Sequence, residues 1–158
     1  TEMPDEHPKF PETIGALQSS WALVVGLGLD AVGVLFFKRI FEIAPAAIAL
    51  FPFKDEPADA MYESATFKGH AAKVMGTVDK AVSLLTEVPT LLPVLEGLGA
   101  RHKGYGVIAA HYDIVGQALL DTLALGLGDK FTPALKAAWA EIYGVISSTM
   151  IKGAKYEA

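Results

Sequence analysis

Two histidines, His70 and His102, fall on apolar helical stripes and are the residues of this sequence best suited to chemistry. His70 belongs to the series Phe67, His70, Ala71, Val74 and Val78, whose i, i+3, i+4, i+7 spacing defines one face of a helix. His102 closes a second stripe made by Leu91, Leu95 and Leu98. Taken singly, an inward histidine reads first as a hydrogen-bonded core residue. As a pair, desolvated and without an acidic partner on their own stripes, they read as neutral imidazoles, the side chains most used to ligate metals. A bare zinc ion wants three or four converging ligands, and these faces supply neither a third histidine nor a carboxylate. The lack of cysteine removes thiolate sites, disulfides and cysteine nucleophiles together. Haem iron needs only one or two axial ligands. Phe37, Phe51, Phe67, Val74 and Val107 are the aromatic and branched types that wall a flat apolar macrocycle. Lys73, almost one turn beyond His70, can meet a propionate at its edge. Each wall residue reads equally as plain core, and Lys73 also reads as a solvated surface lysine.

The elements that must position these residues are helical, because no stretch alternates strictly between apolar and polar positions. Leu17, Trp21 and Val24 or Val25 predict a first helix over 13–27, weakened at its end by Gly26 and Gly28. A second is expected over 30–43, with Val34, Phe37 and Phe41 inward and Pro45 as its stop. A short turn then leads to an exposed loop over 54–60, and the His70 helix is expected over 61–85. A shorter helix after Pro89 carries His102 and ends at Gly104-Tyr105-Gly106. Further helices are expected over 109–125 and from Thr132-Pro133 onward, the last one facing inward with Leu135, Ala138, Trp139, Ile142, Ile146 and Met150. The fold class is all-α. The expected layout is a tail over 1–12 containing a solvated His7, one domain over 13–152, and a short tail over 153–158.

The 158 residues suit one domain and leave no room for a reductase module, so any redox partner is an external reductase. Mean hydropathy is high, at +0.37. The most apolar run, Ala22–Phe37, is shorter than the roughly 20 residues of a membrane span and is interrupted by Asp30, so it reads as two core helices and no membrane partner is expected. A net charge of −5 without a basic run argues against nucleic acid. The acidic, proline-rich start is unlike a signal peptide and makes a cytoplasmic address the default expectation.

Leu50-Phe51, His70 with Lys73 and Val74, Leu98-Gly99-Ala100-Arg101-His102-Lys103, and Ala137-Ala138-Trp139-Ala140-Glu141-Ile142-Tyr143-Gly144 resemble the globin family. The likeness extends over about 13–152 and is greatest to neuroglobin-like and bacterial single-domain haemoglobins. It implies a 3-over-3 helical sandwich around one haem b, with His102 as proximal iron ligand and His70 on the distal side, itself ligating iron in the gas-free, hexacoordinate state. Phe37 becomes the distal aromatic, Val74 the distal wall, Phe51 the ring stacked on the porphyrin and Val107 a proximal contact; Phe67, Lys73 and Leu98 complete the cofactor-binding set. His111 and Tyr112 resemble a His-Tyr pair of bacterial haemoglobins, and His111 reads as a capping or surface residue. Where dioxygenase-type bacterial relatives carry tyrosine, glutamine and a proximal glutamate, this chain has Phe37, His70 and Ala154. The implied function is reversible binding of dioxygen, carbon monoxide and nitric oxide for storage, scavenging, transport or sensing, with no catalytic residue. The alternatives are a nitric oxide dioxygenase or nitrite reductase served by an external reductant, and a helical scaffold without cofactor. Monomer and homodimer both fit.

Overall fold

The computed structural model describes residues 10–155, and side chains from Thr13 onward. Within these residues the chain forms six α-helices and no strand: α1 (Phe10–Gly26), α2 (Leu29–Ile43), α3 (Ala65–Ser83), α4 (Val88–Gly104), α5 (Ala109–Leu127) and α6 (Pro133–Ala154). Leu17, Trp21 and Val24 form the buried stripe of α1, as their spacing predicts. Gly28, at φ 98°, turns the chain where a Cβ would be strained. Asp30 sits in the first turn of α2, where a negative charge complements the helix dipole. A 3-10 segment over Pro45–Leu50 follows α2. No single helix among the described residues is long and apolar enough to cross a membrane; Thr13–Gly26 and Leu29–Ile43 meet that test only together, and they are bent by 102°.

The two helices that carry the histidines start and stop for identifiable reasons. Ser64 caps α3, its hydroxyl oxygen accepting from the Phe67 N–H at 3.0 Å. The expected helix over 61–85 is therefore broken into a 3-10 turn at Met61–Glu63, α3 itself, and a second 3-10 turn at Leu84–Thr86. Pro89 lies in the first turn of α4, where a missing N–H costs nothing. Pro93 lies inside the helix, which nonetheless continues to Gly104 and at 17 residues is shorter than the 19-residue α3, as expected. Gly106, at φ 96°, completes the expected stop. Thr132 caps α6 by accepting from the Leu135 N–H at 3.2 Å.

Packing centres on α6. It crosses α4 where Gly99 faces the Met150 backbone and Gly153 faces the Glu96 backbone, so closely that a Cβ at either glycine would collide. Gly116 of α5 likewise admits the Tyr143 ring, whose hydroxyl donates to the Tyr112 carbonyl at 2.7 Å. Trp139 packs on Trp21 and donates from Nε1 to Ser20 Oγ at 3.0 Å; Trp21 donates to Asp79 at 2.8 Å. Helix α2 packs against α3 and α5, and the side chains it buries are Val32, Phe36, Phe37 and Ile40, with Gly33. The expected face of Val34, Phe37 and Phe41 is thus only half of it: Val34 and Phe41 are partly buried at the rim. The buried arc is wider because α2 is covered from two sides. Helix α1 begins at Phe10, before the expected boundary at 13, and α6 runs through the expected boundary at 152. Residues 1–9, with His7, and 156–158 lie outside the described residues.

Candidate functional site

His102 sits near the C-terminal end of α4, where its Nδ1 is 2.9 Å from the Leu98 carbonyl oxygen. A carbonyl only accepts, so Nδ1 carries the proton and Nε2 keeps its lone pair for a ligand. Burial pushes the His102 pKa below the ordinary histidine value; the Leu98 bond opposes this shift and Arg101 adds to it. Tyr105 and Tyr112 flank the ring, with centroids at 6.2 and 6.5 Å.

His70, on α3, is half-buried against an aromatic wall. Its ring centroid lies 5.8 Å from Phe37, 5.4 Å from Phe51 and 5.8 Å from Phe53. Burial lowers its pKa, and the charges of Lys73 and of His102 push the same way. The two imidazoles thus come from different helices and are close enough for charge on one to disfavour charge on the other.

Phe37 is the hub of the wall, with Phe36, Phe41, Phe51, Phe53, Phe67 and His70 around it. Phe67 stands behind the wall: it is fully buried against Phe37, Phe53 and Tyr62 and supports the others. Phe53, which helical spacing does not single out, stacks on Phe51 at 5.3 Å with an interplanar angle of 13° and is also fully buried. Its only sequence signal is the Phe51-Pro52-Phe53 pattern, which lies in a turn where no periodicity applies. Val74, Leu98 and Val107 are partly buried against the core, and Lys73 is exposed. His111 does not join the site; its Nδ1 accepts from the Ile108 N–H at 3.0 Å and so caps α5. Ala154, at the expected glutamate position, is buried.

This donor set fits haem. It offers two neutral imidazoles, one with its outer nitrogen tied to a carbonyl, beside a wall of phenyl rings. Among the described residues no group of three or more histidines and carboxylates could hold a bare metal ion.

Residues 34–150 match the family model described as Globin. The chain belongs to the globin family. It is 36% identical over 143 residues to neuroglobin of Danio rerio, the match covering 88% of each chain. It is 35% identical to neuroglobin-2 of Oncorhynchus mykiss, covering 87% of each. Among solved structures, a hexacoordinated heme protein from an anhydrobiotic tardigrade superposes with a TM-score of 0.83 at 23% identity, covering 94% of this chain and 99% of that one. A Drosophila melanogaster globin gives 0.81 at 19% identity, covering 89% and 92%. The all-α globin fold expected from the sequence is the observed fold, and this globin is a haem-binding protein.

Proposed function

We propose that this globin reversibly binds dioxygen, carbon monoxide and nitric oxide at a haem b held by His102, with His70 acting on the opposite side. Haem supplies the iron that takes a diatomic gas, and the chain supplies its surroundings. The Leu98 carbonyl orients the His102 imidazole and directs Nε2 inward. That this partner is a neutral carbonyl rather than a carboxylate is the observation that favours gas binding over nitric oxide dioxygenase or nitrite reductase turnover, since a second-shell carboxylate would raise ligand basicity. Phe37, Phe51 and Phe53, backed by Phe67, exclude water, while Val74, Leu98 and Val107 add apolar walls and Lys73 stands at the edge for a propionate.

His70 acts in two ways. As a hydrogen-bond donor to a partly charged gas it contributes about 1.5–3 kcal/mol. As a ligand of the gas-free iron it competes, and if the open form is about 1% of molecules apparent gas affinity falls about a hundredfold. The hexacoordinated tardigrade heme protein supports this second role by analogy of fold.

The absorption spectrum of the reduced, gas-free protein tests the reading. Sharp low-spin bands are expected, turning to a broad high-spin spectrum in His70→Leu, with faster gas binding and faster dioxygen loss. A dioxygen dissociation rate unchanged in His70→Leu would remove His70 from this role.

A further inference from the structure

All 18 carboxylates of the chain lie outside residues 97–112 and 142–155, whereas four of its 13 lysines and arginines lie within them: Arg101, Lys103, Lys152 and Lys155. The fold brings the two stretches together. Helices α4 and α6 cross at Gly99 and Gly153, and Lys103 Nζ donates to the Lys155 carbonyl at 3.2 Å. Among the described residues no ion pair engages Arg101, Lys152 or Lys155. Cations at two helix C-termini also complement the carbonyl dipoles there. That role does not explain the apolar residues beside them: Tyr105 is 66% exposed and Ile108 54%, at the turn leading from α4 to α5. The Tyr105 ring reaches inward to 6.2 Å from the His102 ring.

Tyr105 and Ile108 are exposed in the turn that directly follows Arg101 and Lys103, and Lys103 reaches the Lys155 end of α6; exposed apolar side chains next to cations have the make-up of a protein docking surface. Charge of one sign steers a partner of the other. We infer that Arg101, Tyr105 and Ile108, with Lys152 and Lys155 of α6, form the docking site for an acidic protein that donates single electrons. The inference rests on the reading of His102 as the haem ligand. The partner's redox centre loses one electron and the ferric haem at His102 gains it, with no bond made and no proton moved. Tyr105 is the contact between the docked surface and the His102 ring. An anionic membrane would meet the same cations, but it has no need of a site beside His102.

The probe is a plant-type [2Fe–2S] ferredoxin, an acidic one-electron donor. Titrated into the 15N-labelled, haem-loaded globin, it is expected to shift amide signals of 101–108 and 152–155, and to lose that effect between about 50 and about 300 mM salt as the charges are screened. Lys152→Glu/Lys155→Glu should slow reduction of the ferric protein by photoreduced ferredoxin about tenfold or more. Reduction by photogenerated neutral lumiflavin semiquinone should not change. If the charge-reversed variant does not fold, Lys152→Gln/Lys155→Gln should show a smaller slowing in the same direction. An unchanged ferredoxin rate, shifts located elsewhere, or binding to phosphatidylglycerol vesicles in place of ferredoxin would overturn the inference. A chain that takes up no haem overturns the haem reading as well; a haem-loaded chain with an unchanged ferredoxin rate overturns this inference alone.

Discussion

At the scale of single residues, the two histidines are held neutral mainly by burial, and this has a consequence for stability. Both pKa values lie below the ordinary histidine value of 6.5, so over the interval between the lowered values and 6.5 the unfolded chain binds more protons than the folded one. Stability of the haem-free chain is then complete above 6.5 and declines as pH falls through that interval. The urea midpoint is expected to drop between about pH 7.5 and about pH 5, and to drop less in His70→Leu/His102→Leu. An equal drop in both proteins would assign the acid sensitivity to other groups.

At the scale of elements, the crossing of α4 and α6 depends on two glycines that face backbone rather than side chains. A backbone carbonyl cannot rotate aside as a flexible side chain can, so Gly99→Ala forces the helices apart. The expected cost is about 1–3 kcal/mol, read as a melting temperature lowered by several degrees. Gly76→Ala in α3 is the control, since nothing lies within 4 Å of its added Cβ. It should be neutral or stabilise by up to about 1 kcal/mol. Equal responses in the two variants would mean that the crossing does not set the cost of Gly99→Ala. The same crossing places His102 relative to α6, so Gly99→Ala is also expected to weaken haem retention.

At the scale of the whole molecule, α1, α3 and α6 are tied by two tryptophans. Trp139 donates to Ser20 Oγ at 3.0 Å, Ser20 donates to the Leu17 carbonyl at 3.0 Å, and Trp21 donates to Asp79 at 2.8 Å. Ser20→Ala leaves the buried Trp139 N–H without its partner and should cost about 1–3 kcal/mol in urea unfolding. In a Trp139→Phe background the same change should cost about 0.5–1.5 kcal/mol less, because no donor remains to be stranded. Additive losses would show that the bond contributes nothing beyond packing.

Much of this was legible in the sequence for local reasons. Helical spacing placed His70, His102, Leu17 and Trp139 inward, and Thr132-Pro133 and Gly104-Tyr105-Gly106 marked helix ends, because periodicity and turn chemistry act within a few residues. The Ser64 cap, which starts α3 four residues after the expected boundary, was also a local signal, and the reading of a helix from 61 did not use it. Tertiary structure alone decided the rest. Phe53 joins the aromatic wall from a turn, Phe67 packs against Phe37, Phe53 and Tyr62, and α2 is buried over a wider arc because two helices cover it. Lys103 of α4 reaches the Lys155 carbonyl at the end of α6 only because Gly99 and Gly153 let the two helices touch. Contacts between residues some fifty positions apart depend on how helices cross, and no stretch of sequence records that crossing by itself.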